Sequence, residues 1–234
     1  DSVSNGVNID YDCICSTVLT EEIGSALRII SKIIPTVSYN TSVSSIPDAI
    51  EYVGAGREGE RGQGNDLAIQ MGLYITNVLR NSEFDFDSIK NNVSIREEFK
   101  NILNNNENMI LVSYSEDVYN TAFVDRNEGV KNIFNNVIYY KNFESLKDRI
   151  LGELKPDSLV VGFCLQESVF NSFSAFLEEE GINAILGVTD ITSDTLRLVN
   201  QENLLIAVSG FAPINQGSLV SAAILNKVFG IFDN

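Results

Sequence analysis

The chain has no histidine among its 234 residues, and only three cysteines. Histidine is the commonest general base and the commonest transition-metal ligand, so its absence excludes Ser-His-Asp chemistry and argues against zinc chemistry. Cys13, Cys15 and Cys164 do not form a disulfide framework, because two of them are two positions apart in an apolar run and the third is distant. We expect buried free thiols, and we predict no metal and no cofactor.

Basic residues are also scarce. Lysine and arginine number 16 against 32 aspartates and glutamates, which gives a formal charge of −16. A nucleic-acid backbone or an anionic membrane surface would be repelled by this charge, so nucleic acid is not an expected partner. No apolar run approaches the ~20 residues that cross a bilayer, so direct membrane insertion is not expected either.

Short apolar runs rich in valine and isoleucine alternate with segments of helical periodicity. Two of the helical segments are Thr20–Ile30 and Ser168–Leu177. The predicted strands are Ile9–Ser16, Ile34–Ser38, Ile50–Val53, Met109–Ser113, Val137–Tyr140, Leu159–Phe163, Ala184–Val188 and Leu204–Val208. Apolar strands separated by helices predict a parallel sheet covered on both faces, and the fold class is therefore α/β.

The glycine-rich stretch 54–64, GAGREGERGQG, precedes a helical pattern through Met71, Ile75 and Leu79. Its spacing matches a dinucleotide-binding loop on paper, but Glu58 and Glu60 would repel a pyrophosphate. We therefore interpret the stretch as a flexible crossing, in which glycine tolerates unusual backbone angles. Residues 81–107 are predicted to form a helix tail, a solvated loop and a surface helix.

Six segments occur in an order typical of one protein family. They are IIPTVSYNTS, IEYVGAG, MILVSYSEDVYNTAFVDRNEGV, DSLVVGF, INAILGVTDITSDTLRLV and IAVSGFAPINQGSLVSAAIL. Together they resemble the type I periplasmic sugar-binding proteins, particularly the ribose-like and simple-sugar branch. The resemblance implies two Rossmann-like lobes with parallel sheets, which close over a small polar ligand held between them. It implies an amino-terminal lobe of residues 1–53 plus 212–234, and a carboxy-terminal lobe of residues 54–211. It also implies that the amino-terminal lobe is incomplete, without its first two strand-helix units and its final strand.

The resemblance also implies a set of ligand-binding residues. Asn40 and Thr41 occupy the end of a strand that faces the ligand in the simple-sugar branch, and an amide suits a sugar because it donates and accepts hydrogen bonds at once. Asn120 either caps a helix or reaches the ligand. Gln166 belongs to the polar pair that follows VVGF.

Two charged residues have alternative interpretations. Asp190 either accepts hydrogen bonds from adjacent sugar hydroxyls, or forms a turn or cap for a helix that begins at Ser193. Arg126 either touches the ligand or forms a structural ion pair with a nearby carboxylate, and the ion pair is the expected role.

Residues Gly210-Phe211-Ala212 stand where simple-sugar relatives carry three polar residues before a proline. The change removes hydrogen bonds to hydroxyls and leaves the flat ring of Phe211, which favours a less polar ligand but can still stack on a sugar.

No constellation of nucleophile, base and orienting group is visible, so we expect binding and not catalysis. The predicted function is capture of a small polar solute, a monosaccharide or related molecule, for transport or sensing. Its expected setting is the periplasm or the extracellular space, with a membrane transporter or receptor as partner. One alternative is a structural or interaction protein that keeps the fold and has lost the sugar pocket. Another is an enzyme that uses Asp190 and Glu167 as paired carboxylates, which fold analogy alone does not license.

Overall fold

The structure is a computed structural model. It describes residues 11–39, 50–54, 56–79, 84–117, 120–199, 204–210 and 213–229. The chain divides into two compact units. The first takes its described residues from Asp1–Arg57 and Ala212–Asn234, and the second takes its described residues from Glu58–Phe211.

The first unit contains a three-stranded parallel sheet in the order β1-β2-β3. Its elements are β1 (Ile14–Thr17), α1 (Glu21–Ile30), β2 (Thr36–Tyr39), β3 (Glu51–Val53) and α9 (Pro213–Phe229). Helix α1 begins where predicted, because Thr20 Oγ1 accepts a hydrogen bond from the Ile23 amide at 3.4 Å. A small buried cluster of Val18, Leu27 and Ile50 forms the core of this unit.

The second unit contains a five-stranded sheet in the order β5-β4-β6-β7-β8, in which every pair is parallel. Its strands are β4 (Met109–Tyr114), β5 (Ile138–Tyr140), β6 (Leu159–Cys164), β7 (Ala184–Thr189) and β8 (Leu205–Ser209). Its helices are α2 (Gly56–Leu79), α3 (Phe86–Asn91), α4 (Val93–Asn104), α5 (Thr121–Lys131), α6 (Phe143–Glu153), α7 (Phe170–Glu179) and α8 (Ser193–Val199), with a 3₁₀ turn at Glu167–Val169.

Alternate residues of the central strands enter two separate cores. Val161 and Phe163 of β6 pack on the face covered by α2 to α5, whereas Val160 and Cys164 pack on the face covered by α6 and α7. Strand side chains alternate in direction, so a strand that is apolar throughout fits only between two helical layers. The predicted α/β class with parallel, Rossmann-like sheets is confirmed.

The glycine-rich stretch contains the boundary between the two units, but it is not the flexible segment that the sequence suggested, because from Gly56 onwards it forms the first turns of α2. A Cβ atom on Gly64 would lie 1.8 Å from the carbonyl oxygen of Arg126, and one on Gly129 would lie 2.0 Å from that of Arg61. These two glycines therefore allow the backbones of α2 and α5 to approach closely, which no residue with a side chain could do.

The segment predicted as a surface helix also differs. Helix α4 inserts Phe99 and Leu103 fully into the core, and the rings of Phe84 and Phe99 meet edge to face at 5.7 Å. Most residues of this segment are polar, so its sequence predicted an exposed helix although Phe99 and Leu103, four positions apart, are buried. No helix in the described ranges is long and apolar enough to span a membrane.

Candidate functional site

Three predicted site residues come together at one edge of the five-stranded sheet. Asn120, Gln166 and Asp190 follow β4, β6 and β7, which are neighbours in the sheet. Parallel strands present their carboxyl ends at the same edge, where ligands of open α/β sheets bind. The other three predicted residues, Asn40, Thr41 and Phe211, lie outside the described residues.

Arg126 lies at the centre of this edge and ties three elements together. Its Nε donates to Glu60 Oε2 of α2 at 2.7 Å. Its Nη1 donates to the Leu165 carbonyl after β6 and to Thr189 Oγ1 of β7, both at 2.9 Å, and lies 3.1 Å from Asp190 Oδ1. The structural ion pair predicted for Arg126 is therefore present, with two carboxylates in place of one.

Glu60 is a component of the site that sequence reasoning missed. Its side chain is only 4% exposed, and this burial raises the pKa of its carboxyl, an effect that the charge and hydrogen bond of Arg126 offset in part. The available signal was its position, because Glu60 lies in helical phase with the buried Leu67 and Met71. A carboxylate on a buried helical stripe needs a cationic partner.

Gln63, one helical turn from Glu60, is a second buried polar residue of α2. Neither the nitrogen nor the oxygen of its side-chain amide has a hydrogen-bond partner within the described part of the chain. Helix α2 therefore carries two buried polar side chains next to the sheet edge, where an apolar helix face would be expected.

Asp190 adopts a left-handed backbone conformation with φ of +80°. Its amide donates to the Ser209 carbonyl at 2.8 Å, which ties the loop after β7 to the end of β8. The cap of α8 comes from Thr192, whose Oγ1 accepts from the Thr195 amide at 3.1 Å. The Asp190 side chain therefore does not cap α8, which was one of the two roles that the sequence allowed. It pairs with Arg126 instead, and 40% of it is exposed.

Gly210 explains one departure from the simple-sugar pattern. A Cβ atom at this position would lie 2.7 Å from the backbone nitrogen of Ile191 and 2.9 Å from its Cγ1. The loop that follows Asp190 therefore occupies the space that a side chain at position 210 would need.

The remaining polar residues of the edge hold defined local contacts. Asn120 caps α5, since its Oδ1 accepts from the Ala122 amide at 3.0 Å. Gln166 Nε2 donates to Ser168 Oγ at 2.8 Å. Glu167 Oε1 accepts from Thr192 Oγ1 at 2.9 Å. All three residues are half-buried, so they combine fixed positions with partial access to solvent.

The opposite edge of the same sheet has a hollow of about 350 Å³ that contains none of the predicted residues. It is lined by Tyr74, Ile75, Asn106, Asn108, Met109, Asp157, Leu159, Asn183 and Ile185. Within the described ranges, no group of three or more cysteine, aspartate or glutamate side chains could hold a metal ion.

No protein-family model and no curated protein matches the chain. Solved structures do match its fold. GanP, a glucose-galactose binding protein from Geobacillus stearothermophilus, is 14% identical with a TM-score of 0.59, over 94% of this chain and 71% of its own. A carbohydrate transporter from Acidothermus cellulolyticus 11B, in complex with myo-inositol, is 15% identical with a TM-score of 0.58, over 97% and 71%.

A LacI transcriptional regulator from Lactobacillus brevis is also similar, at 14% identity and a TM-score of 0.53, over 94% of this chain and 72% of its own. At these identities the likeness concerns the fold. The parallel sheets, their helical layers and these three similarities lead to one conclusion: the chain has the type I periplasmic binding protein fold, as its sequence segments predicted.

Proposed function

We propose that the chain is a non-catalytic binding protein for a small polar solute of the sugar class, and that the solute is recognised at the carboxyl edge of the five-stranded sheet. The observation that carries the proposal is the state of Asp190. One carboxylate oxygen is fixed by the buried Arg126, while 40% of the side chain stays exposed. A carboxylate held in this way can accept hydrogen bonds from adjacent hydroxyls with little loss of side-chain entropy on binding.

The neighbouring polar groups complement this acceptor. Gln166 can donate and accept at once, as a hydroxyl does, and Asn120 has an amide nitrogen that the helix cap does not use. Asn40, Thr41 and Phe211 are proposed as further contacts on the strength of the sequence resemblance. The glucose-galactose binding protein and the myo-inositol complex among the similar structures add support for a neutral polyhydroxylated solute.

The proposed setting is the periplasm or the extracellular space, where a membrane transporter or receptor would respond to the solute-bound form. Binding energy would then act by shifting a conformational equilibrium, as in other solute receptors. No step of this role requires a nucleophile or a cofactor.

A thermal-shift screen tests the proposal. Pentoses, hexoses, inositol and nucleosides are added to the protein, and a sugar at 100 times its Kd should stabilise it by ~2.7 kcal/mol. Isothermal titration calorimetry then gives the Kd of each hit. The proposal is abandoned if no sugar or polyol shifts the melting temperature at millimolar concentration, and a structural or interaction role then replaces it. Turnover of a bound sugar would instead favour an enzyme.

A further inference from the structure

We propose that Glu60 sets the charge selectivity of this edge: by pairing with Arg126 it withholds the arginine from anionic solutes, so that sugar acids and sugar phosphates are rejected. This inference rests on the proposed function, and it assigns a specificity-determining role to a residue of α2 that lies beneath the solute-binding surface.

The first argument concerns the donors of Arg126. A guanidinium normally binds a carboxylate or phosphate through two parallel N–H groups. Here Nε is taken by Glu60, and Nη1 is shared by the Leu165 carbonyl, Thr189 and Asp190. The side chain is only 8% exposed, and the ring of Phe123 lies 5.4 Å from the guanidinium carbon. Each of the two forks of the guanidinium, Nε with Nη2 and Nη1 with Nη2, therefore includes a nitrogen that is already occupied, and a solute anion would find no fork with both donors free.

The second argument concerns the local charge. Two carboxylates, Glu60 and Asp190, contact one guanidinium, so this trio has a net charge of −1 when both are ionised. Asp125, which also faces Glu60, pairs with Arg61 at 3.7 Å.

The rest of the edge adds further negative charge. Glu167 follows β6, and Glu116 and Asp117 follow β4, whereas the cation at the end of β5 is Lys141, which lies over the Tyr139 ring at 5.4 Å. A negative edge repels anionic solutes, and so disfavours them relative to neutral or cationic ones.

Glu60 makes the net charge of this trio negative, and its contribution is weakly screened by salt because its carboxylate is buried. Glu60→Gln retains the length of the side chain and an oxygen that can accept from Arg126 Nε, while it removes one negative charge. The net charge of the trio then rises from −1 to zero. The affinity for an anionic solute should rise relative to the affinity for its neutral counterpart.

The test uses solutes matched except at one group: glucose with glucuronate, galactose with galacturonate, and myo-inositol with its monophosphate. Calorimetry measures each Kd for wild type, Glu60→Gln and Glu58→Gln, the last being a control at an exposed position of the same helix. Wild type should prefer the neutral member by at least about tenfold, which is 1.4 kcal/mol, and Glu60→Gln should reduce that preference by about tenfold. Glu58→Gln should leave it unchanged.

The ratio of the two affinities separates selectivity from folding, since a merely structural defect weakens both members of a pair alike. An unchanged ratio in Glu60→Gln, with wild type binding neutral sugars, overturns this inference alone. The proposed function, and this inference with it, is overturned if wild type binds no sugar or polyol in the thermal-shift screen.

A pH series on wild type serves if Glu60→Gln does not fold. Burial raises the pKa of Glu60, whose charged neighbours are Arg126, Asp190 and Asp125. Lowering the pH from 7 to 5 therefore protonates part of Glu60 while a sugar acid with a pKa of about 3.5 stays ionised. The neutral-over-acid preference should fall over this range, and a constant preference contradicts the inference.

Discussion

Arg126 Nη1 lies 3.1 Å from Asp190 Oδ1, and this contact joins helix α5 to the loop that follows β7. Asp190 sits in a left-handed conformation that costs a non-glycine residue free energy. It is held there by the Arg126 contact and by the hydrogen bond that its backbone amide donates to the Ser209 carbonyl. The carboxylate is thus oriented by the protein itself. An oriented acceptor loses little entropy on binding, which is the property that a sugar receptor needs.

Replacement of Asp190 by asparagine should weaken binding of the best sugar by about tenfold or more, because a hydrogen bond to a charged acceptor contributes roughly 1.5–3 kcal/mol. Titration calorimetry measures the change in Kd. Asp194→Asn is the matched control: it makes the same substitution four residues along, at a side chain that is 74% exposed and pairs with Arg197 at 3.8 Å.

Circular dichroism is the check that both variants keep the fold. Equal sugar affinity in wild type and Asp190→Asn would show that the Asp190 carboxylate does not touch the solute. An equal loss in Asp190→Asn and Asp194→Asn would point to a general charge effect on the surface.

The central strands were predictable because the apolar runs of β6 and β7 admit only one environment, the interior of a sheet with helices on both faces. The first strand was predicted less well, since β1 begins at Ile14 and the predicted strand began at Ile9. Asp190 and Arg126 were found through the segments that contain them. Glu60 was not, because it lies 66 residues from Arg126 in sequence and stands among glycines that favour turns over helices. The close backbone contact of α2 with α5, which requires a glycine at position 64, forms only when the two helices pack, so the sequence alone does not reveal it.

The helix contact at Gly64 leads to a prediction about stability. Gly64→Ala should lower the free energy of unfolding by about 1–3 kcal/mol or more, because its Cβ would overlap the backbone of Arg126. Gly62→Ala, two residues earlier in the same helix, would place its methyl group in open space, with no neighbouring atom within 4 Å, and should be neutral or stabilising by up to ~1 kcal/mol. Urea denaturation measures both variants. The close packing of α2 on α5 is contradicted if the two alanines have the same effect.

The burial of helix α4, which the sequence predicted to lie on the surface, leads to a further prediction about stability. Phe99→Ala should lower the free energy of unfolding by about 3–5 kcal/mol, because the ring is fully buried and meets Phe84. Val93→Ala, at a side chain that is 71% exposed on the same helix, should change it by less than about 0.5 kcal/mol. A small effect of Phe99→Ala would mean that α4 lies on the surface, as its composition suggests.

Alkaline pH should destabilise the fold through Cys164 and Tyr114. Burial raises the pKa of the Cys164 thiol above its ordinary value of 9.0. Burial and the hydrogen bond to Glu116 raise the pKa of the Tyr114 hydroxyl above 10.0. Above these ordinary values the unfolded chain releases a proton that the folded chain retains, so the free energy of unfolding is maintained below about pH 9 and falls as the pH rises.

The contribution of Cys164 can be isolated by the slope of this decline. Each group that is ionised only in the unfolded state contributes about 1.4 kcal/mol per pH unit. Cys164→Ala removes one such group, so its free energy of unfolding should fall less steeply than that of wild type between pH 9 and 10, where Tyr114 contributes little. Urea denaturation at successive pH values measures the slope. A cavity left by the missing sulfur lowers the free energy of unfolding by the same amount at every pH, and so leaves the slope unchanged. Identical slopes in the two proteins would mean that the thiol ionises as readily in the folded chain as in the unfolded chain. That result would contradict the complete burial of Cys164 at the end of β6, against the helices that cover this face of the sheet.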